Sequence, residues 1–130
     1  MDQQQPLRTP LGRAVGLGSA KEGVEHWWAQ RVSAVALVVL GLWFVAALVA
    51  HAGADHAAVV RWLHQPVTAI LMILTLAAVF YHGALGVQVV IEDYVESEWV
   101  KIPAIMILRL LSLALAVAGI FAVLRIAFGG

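Results

Sequence analysis

The chain has 130 residues, 62% hydrophobic and 12% charged, with a formal net charge of zero and a mean hydropathy of +0.91. A soluble domain is about half apolar and about a quarter charged, so the composition excludes an ordinary water-soluble domain and points to lipid as the main solvent. Zero net charge gives nucleic acid no electrostatic footing, and the absence of cysteine excludes disulfides, a Cys-x-x-Cys-His haem attachment and thiolate ligands for an iron–sulfur cluster.

In chain order, Met1 to Glu25 is polar and carries Pro6 and Pro10. It reads as an extended arm with a short interfacial turn around Ser19 to Val24. His26-Trp27-Trp28-Ala29-Gln30-Arg31 then suits the headgroup layer, where tryptophan and arginine collect. A charge-free first span follows over about 32–50. Ala50-His51-Ala52 imitates a signal-peptidase site, but the arm is too long for a signal n-region, so this run is expected to remain a membrane span. His51 to Gln65 is a polar connection, and Pro66 sits where the first turn of a helix tolerates proline. The second span covers about 67–91, with Thr68, Thr75, His82 and Gln88 as its only markedly polar members. Glu92 to Ile102 is an acidic loop. Pro103 opens the third span, about 104–128, which carries Arg109 and Arg125. Each run is long enough to cross a bilayer, which takes about 20 residues.

The expected fold is therefore an all-α membrane protein with three transmembrane helices in one membrane-anchor domain, 1–130: a polar arm over 1–25 and a three-helix region over 26–130. Arg8, Arg13, Lys21 and Arg31 precede the first span, whereas the first connection has only Arg61. The positive-inside rule then puts the amino terminus in the cytoplasm and the carboxyl terminus in the periplasm.

His82-Gly83-Ala84-Leu85-Gly86 and Asp93-Tyr94 are the residues with chemistry to offer. His82 lies about 15 Å from the inner end of its span at about 1.5 Å per residue, half the hydrocarbon thickness of about 30 Å. An imidazole there can ligate haem iron, or it can make an interhelical hydrogen bond. Gly83 and Gly86 leave the adjoining strip bare, where a flat ligand can lie. Any second axial ligand at that depth would have to come from another subunit. Asp93 falls on the His82 face, about three turns on. Asp93 and Tyr94 stand at the inner boundary, either as an ordinary helix end or as groups for a quinone, whose oxygens gain negative charge on reduction. Arg31, Ser33 and His26 open the first span, either as anchoring residues or as groups toward a haem propionate or quinone. Arg109 is expected to snorkel inward or to meet Asp93 or a lipid phosphate. His51, His56 and His64 read as solvated loop residues.

The pattern His82-Gly83-x-x-Gly86 followed by Asp93-Tyr94-Val95, together with Gly18-Ser19-Ala20-Lys21-Glu22-Gly23 and His26-Trp27-Trp28-Ala29-Gln30-Arg31-Val32-Ser33-Ala34, resembles the hydrophobic membrane anchor of succinate dehydrogenase, respiratory complex II. In particular it looks like the smaller, D-type anchor of alphaproteobacteria. The resemblance covers about residues 10 to 100, and the third span only by hydropathy. The sister anchor of that family carries His-Arg-x-Ser/Thr-Gly where this chain has Gln30-Arg31-Val32-Ser33-Ala34, which assigns the chain the smaller role. The resemblance implies a b-type haem held jointly with a second three-helix anchor (the cytochrome b subunit), with His82 as axial ligand and Gly83 and Gly86 packing against the macrocycle. It implies ubiquinone as substrate with Tyr94 and Asp93 at its site, and Arg31, Ser33 and His26 near the propionates or quinone. The implied partners are an iron–sulfur subunit and a flavoprotein, in the cytoplasmic (inner) membrane of a bacterium. The chain itself would perform no succinate chemistry. Two alternatives stand: a three-span scaffold or transporter subunit without cofactor, and a fumarate reductase anchor.

Overall fold

The structure is a computed structural model and describes residues 18–129. Among these residues there are four α-helices and no strand: α1 Gly18–Ala50, α2 His56–Leu63, α3 Pro66–Tyr94 and α4 Glu98–Phe128. Three segments are long and apolar enough to cross a membrane, Gly23–Ala50, Pro66–Tyr94 and Glu98–Phe128.

The middle helix is α3. It packs along α1 on one side and along α4 on the other, while α1 and α4 have no extensive contact. Burial is inverted relative to a soluble protein. Ser33, Thr68, Thr75 and Gln88 are buried, whereas most large aliphatic side chains, such as Val35, Leu42 and Leu110, face outward. Lipid is as apolar as leucine, so helices gain little by hiding aliphatic groups from it; close backbone approach and interhelical polar contacts hold them together instead. At the α3–α4 contact, a Cβ added to Gly119 would lie 3.3 Å from Leu76 Cδ1. Thr75 turns its hydroxyl back onto the Leu71 carbonyl at 2.7 Å, which satisfies a donor that lipid cannot.

The element boundaries differ from the expected ones in three places. Residues 18–25, read as the end of an extended arm with a short interfacial turn around Ser19 to Val24, are the first two turns of α1; residues 1–17 of that arm lie outside the described residues. The last proline before this segment is Pro10, and Ala20, Lys21 and Glu22 are good helix formers, so nothing stops the helix from growing outward. The acidic loop shrinks to residues 95–97. Asp93 and Tyr94 are the last turn of α3, and α4 starts at Glu98, five residues before Pro103. Glu98 favours a helix start through the dipole and pairs with Lys101 at 3.0 Å. Pro103 leaves only the Trp99 carbonyl without its helical donor, at a level where headgroups and water can replace it.

The first connection contains α2, which was not expected. Its N-cap is Asp55, whose Oδ1 accepts the Ala58 N–H at 2.7 Å. Gly53, with φ of +83°, supplies the left-handed turn that a side chain would strain. His51 is not a free loop residue: its Nδ1 lies 2.9 Å from the Ala47 carbonyl and its ring 4.4 Å from that of Trp62, which in turn stacks on Trp43 at 6.1 Å.

Candidate functional site

His82 lies near the middle of α3, twelve residues before its end at Tyr94, or about 18 Å along the axis. Its ring is tied to α1: His82 Nδ1 is 2.9 Å from Ser33 Oγ. The Ser33 hydroxyl also donates to the Gln30 carbonyl at 3.1 Å, and Ser33 is only 7% exposed. The interhelical hydrogen bond weighed for His82 is therefore present, and it uses one ring nitrogen. Nε2 makes no hydrogen bond among the described residues, and His82 is half-buried.

Around His82 on α3 two glycines leave space. At about 100° per residue, Gly86 and Gly83 lie about 40° and about 100° round α3 from His82, and Asp93 about 20°. A Cβ added to either glycine meets nothing within 4 Å. Gly119 is used up by packing inside the chain, whereas Gly83 and Gly86 are not. On α1, His26 Nε2 is buried without a hydrogen-bond partner among the described residues, an exception among buried polar atoms, which are nearly always paired. The Arg31 guanidinium lies 5.4 Å from the centroid of the Trp27 ring.

The Ser33–His82 pairing fixes axial levels. Arg31 is two residues from Ser33 and so stands near the level of His82, whereas Tyr94 stands about 18 Å nearer the 95–97 end of the helix pair. Arg31 lies about 160° round α1 from Ser33 and His26 about 10 Å along it, so neither is brought to His82. The structure thus brings His82, Ser33, Gly83 and Gly86 into one neighbourhood. It places Asp93 and Tyr94 in a second one at the helix end, where Tyr94 is 84% exposed.

The opposite flank is a cleft of about 1250 Å³ between α1 and α4, floored by α3 and lined by small residues such as Ala36, Ala77 and Ala116. Its polar end is Gln88, 8% exposed. Gln88 Oε1 accepts from Arg109 Nη2 at 2.8 Å and Nε at 3.2 Å, and its Nε2 donates to Glu92 at 2.7 Å. Among the described residues Arg109 meets neither Asp93 nor any other acid. Arg109 is eleven residues into α4 and Gln88 six before the end of α3, so the guanidinium reaches back by about 7 Å toward the headgroups. Gln88 is one of four markedly polar side chains in its span and Arg109 a charge in an apolar helix; the sequence marks each as needing a partner but does not pair them.

The fold and this site define a class, a three-span membrane protein that offers one unshared imidazole nitrogen at mid-membrane beside an open glycine strip. Residues 5–124 match the family described as succinate dehydrogenase/fumarate reductase transmembrane subunit. Succinate dehydrogenase hydrophobic membrane anchor subunits of Rickettsia bellii and Paracoccus denitrificans are 34% and 32% identical to this chain. These matches cover 90% and 93% of it, and 94% and 93% of the relatives. A membrane anchor subunit of Reclinomonas americana is 27% identical over 72% of this chain and 80% of its own. No solved structure matches. The chain belongs to the succinate dehydrogenase/fumarate reductase transmembrane subunit family, and it is a multi-pass membrane protein.

Proposed function

We propose that this chain is the smaller membrane anchor of a bacterial succinate dehydrogenase, in the cytoplasmic membrane. It docks an iron–sulfur subunit and a flavoprotein, shares a b-type haem with a second three-helix anchor, and completes part of a ubiquinone site. The observation that carries the reading is the His82 ring, tied by one nitrogen and without a partner at the other among the described residues, on a helix with two glycines where an added Cβ meets nothing within 4 Å.

The residues fit a haem. An axial histidine needs one unprotonated nitrogen and a partner for the other N–H, and a macrocycle needs a face without side chains. When bound, the haem supplies a one-electron station in the middle of the membrane. His82 would hold the iron from this side, Gly83 and Gly86 would let the ring approach the helix, and Arg31 and His26 would take the propionates. At the helix end, the Tyr94 hydroxyl would donate to a quinone carbonyl, lowering the cost of the charge that reduction places there. Asp93 would orient the water or basic group that delivers protons. The lysine and arginine distribution supports placing this end in the cytoplasm, where soluble subunits dock.

The test is to purify the tagged chain from its native membrane. A coloured complex that contains a flavoprotein and an iron–sulfur protein and reduces ubiquinone with succinate is expected. A colourless chain that brings neither would favour the cofactor-free scaffold or transporter subunit and overturn the reading.

A further inference from the structure

We infer that Ser33 sets the tautomer of His82: the imidazole keeps its proton on Nδ1 and turns the Nε2 lone pair out of the α1–α3 pair. Ser33 is thus a positioning residue for iron ligation and does not itself touch propionate or quinone. The role toward iron rests on the haem reading above; the tautomer rests on hydrogen bonding within the chain alone.

The protons available to these contacts are few. Three polar atoms form two short contacts, Gln30 O to Ser33 Oγ at 3.1 Å and Ser33 Oγ to His82 Nδ1 at 2.9 Å. A carbonyl oxygen only accepts, and a hydroxyl has one proton to give. If Ser33 gave that proton to Nδ1, two oxygens would face each other at 3.1 Å with nothing between them. Ser33 is 7% exposed, at the edge of a cleft lined mostly by apolar side chains, a poor place for a water to relieve that contact. Only one arrangement puts a proton in both contacts: Oγ–H to the Gln30 carbonyl, and Nδ1–H to Oγ. A neutral imidazole protonated on Nδ1 is unprotonated on Nε2. Nε2 lies across the ring from the Ser33 contact and has no partner among the described residues.

The hydroxyl also tunes the ligand. An N–H that donates to an acceptor makes its ring a stronger donor to the metal, which favours ferric iron and lowers the reduction potential. Because Ser33 is itself anchored to the backbone of α1, the ring plane is fixed by the helix pair.

Two measurements test this. In the full chain labelled with 15N-histidine in detergent micelles, mildly alkaline buffer should show the resonances that His82→Ala deletes as a protonated, pyrrole-type Nδ1 and an unprotonated, pyridine-type Nε2. The reverse assignment overturns the inference. In the purified complex, Ser33→Ala should raise the haem midpoint potential and shift the low-spin electron paramagnetic resonance g values, and Ser33→Thr should restore both. A Ser33→Ala complex with wild-type potential and g values refutes the role toward iron while leaving the haem reading intact. A His82→Ala complex that keeps its haem spectrum refutes the haem reading itself, and the tautomer is still decided in the micelles. A Ser33→Ala chain that fails to assemble is decided there too.

Discussion

A histidine at mid-membrane has two nitrogens to satisfy in a solvent that satisfies neither, and this chain satisfies one of them. Gln88 shows the same economy: one buried amide takes two donors from Arg109 and passes its own N–H to Glu92. Replacing Gln88 with leucine should destabilise the helix pair by about 1.5–3 kcal/mol, the usual worth of a hydrogen bond to a charged group. Gln88→Leu combined with Arg109→Leu should recover most of that loss, because removing both partners leaves nothing unsatisfied. Denaturant unfolding in detergent measures both, and additive losses in the double variant would contradict the pairing. Tyr94 belongs to another kind of site. Tyr94→Phe in the complex should slow quinone reduction at least several-fold while succinate oxidation with a soluble dye acceptor continues; equal loss in both assays would remove the quinone role. His82, Asp93 and Tyr94 could be singled out from their spacing on one chain. The partners of Ser33 and Gln88 could not, since they lie 49 and 21 residues away and a single sequence does not reveal which faces meet.

At the scale of elements, α3 carries the site because it is packed on both sides by its neighbours and still has one bare flank. Its glycines separate two functions that look alike in sequence. Gly86→Ala should leave helix content unchanged and raise stability by as much as about 1 kcal/mol, since alanine is the better helix former and its Cβ meets nothing. Gly86→Leu should likewise leave the chain folded yet reduce the haem retained by the complex. Circular dichroism of the chain and the haem-to-protein ratio of the complex read the two effects, and unfolding of the isolated Gly86→Leu chain would contradict the open flank. The three spans were legible because about twenty uninterrupted apolar residues have few other uses. The helix α2 was not, because His56, Arg61 and His64 masked a short apolar face that only Asp55 announces by capping it. The helix over residues 18–25 was hidden for the converse reason: a polar, glycine-containing stretch reads as an arm with a short turn, though polar residues form helices readily.

At the scale of the whole molecule, the chain is an incomplete object. Its core is thin, its aliphatic side chains face lipid, and the flank bearing His82, Gly83 and Gly86 faces out of the bundle. A second anchor supplying another axial ligand would cover that flank. The chain contains no cysteine, so its orientation can be read without background. A cysteine placed at Ser97 should react with a membrane-impermeant maleimide only in inside-out vesicles, and one at Ala54 only in intact spheroplasts; the opposite pattern would reverse the topology and move Tyr94 away from the cytoplasmic subunits. The most direct measurement is the reduced-minus-oxidised visible spectrum of the purified complex carrying His82→Ala. Loss of the low-spin b-type bands, with succinate oxidation by the soluble subunits preserved, is the predicted result. Bands of wild-type position and intensity would contradict the claim that this imidazole holds the iron.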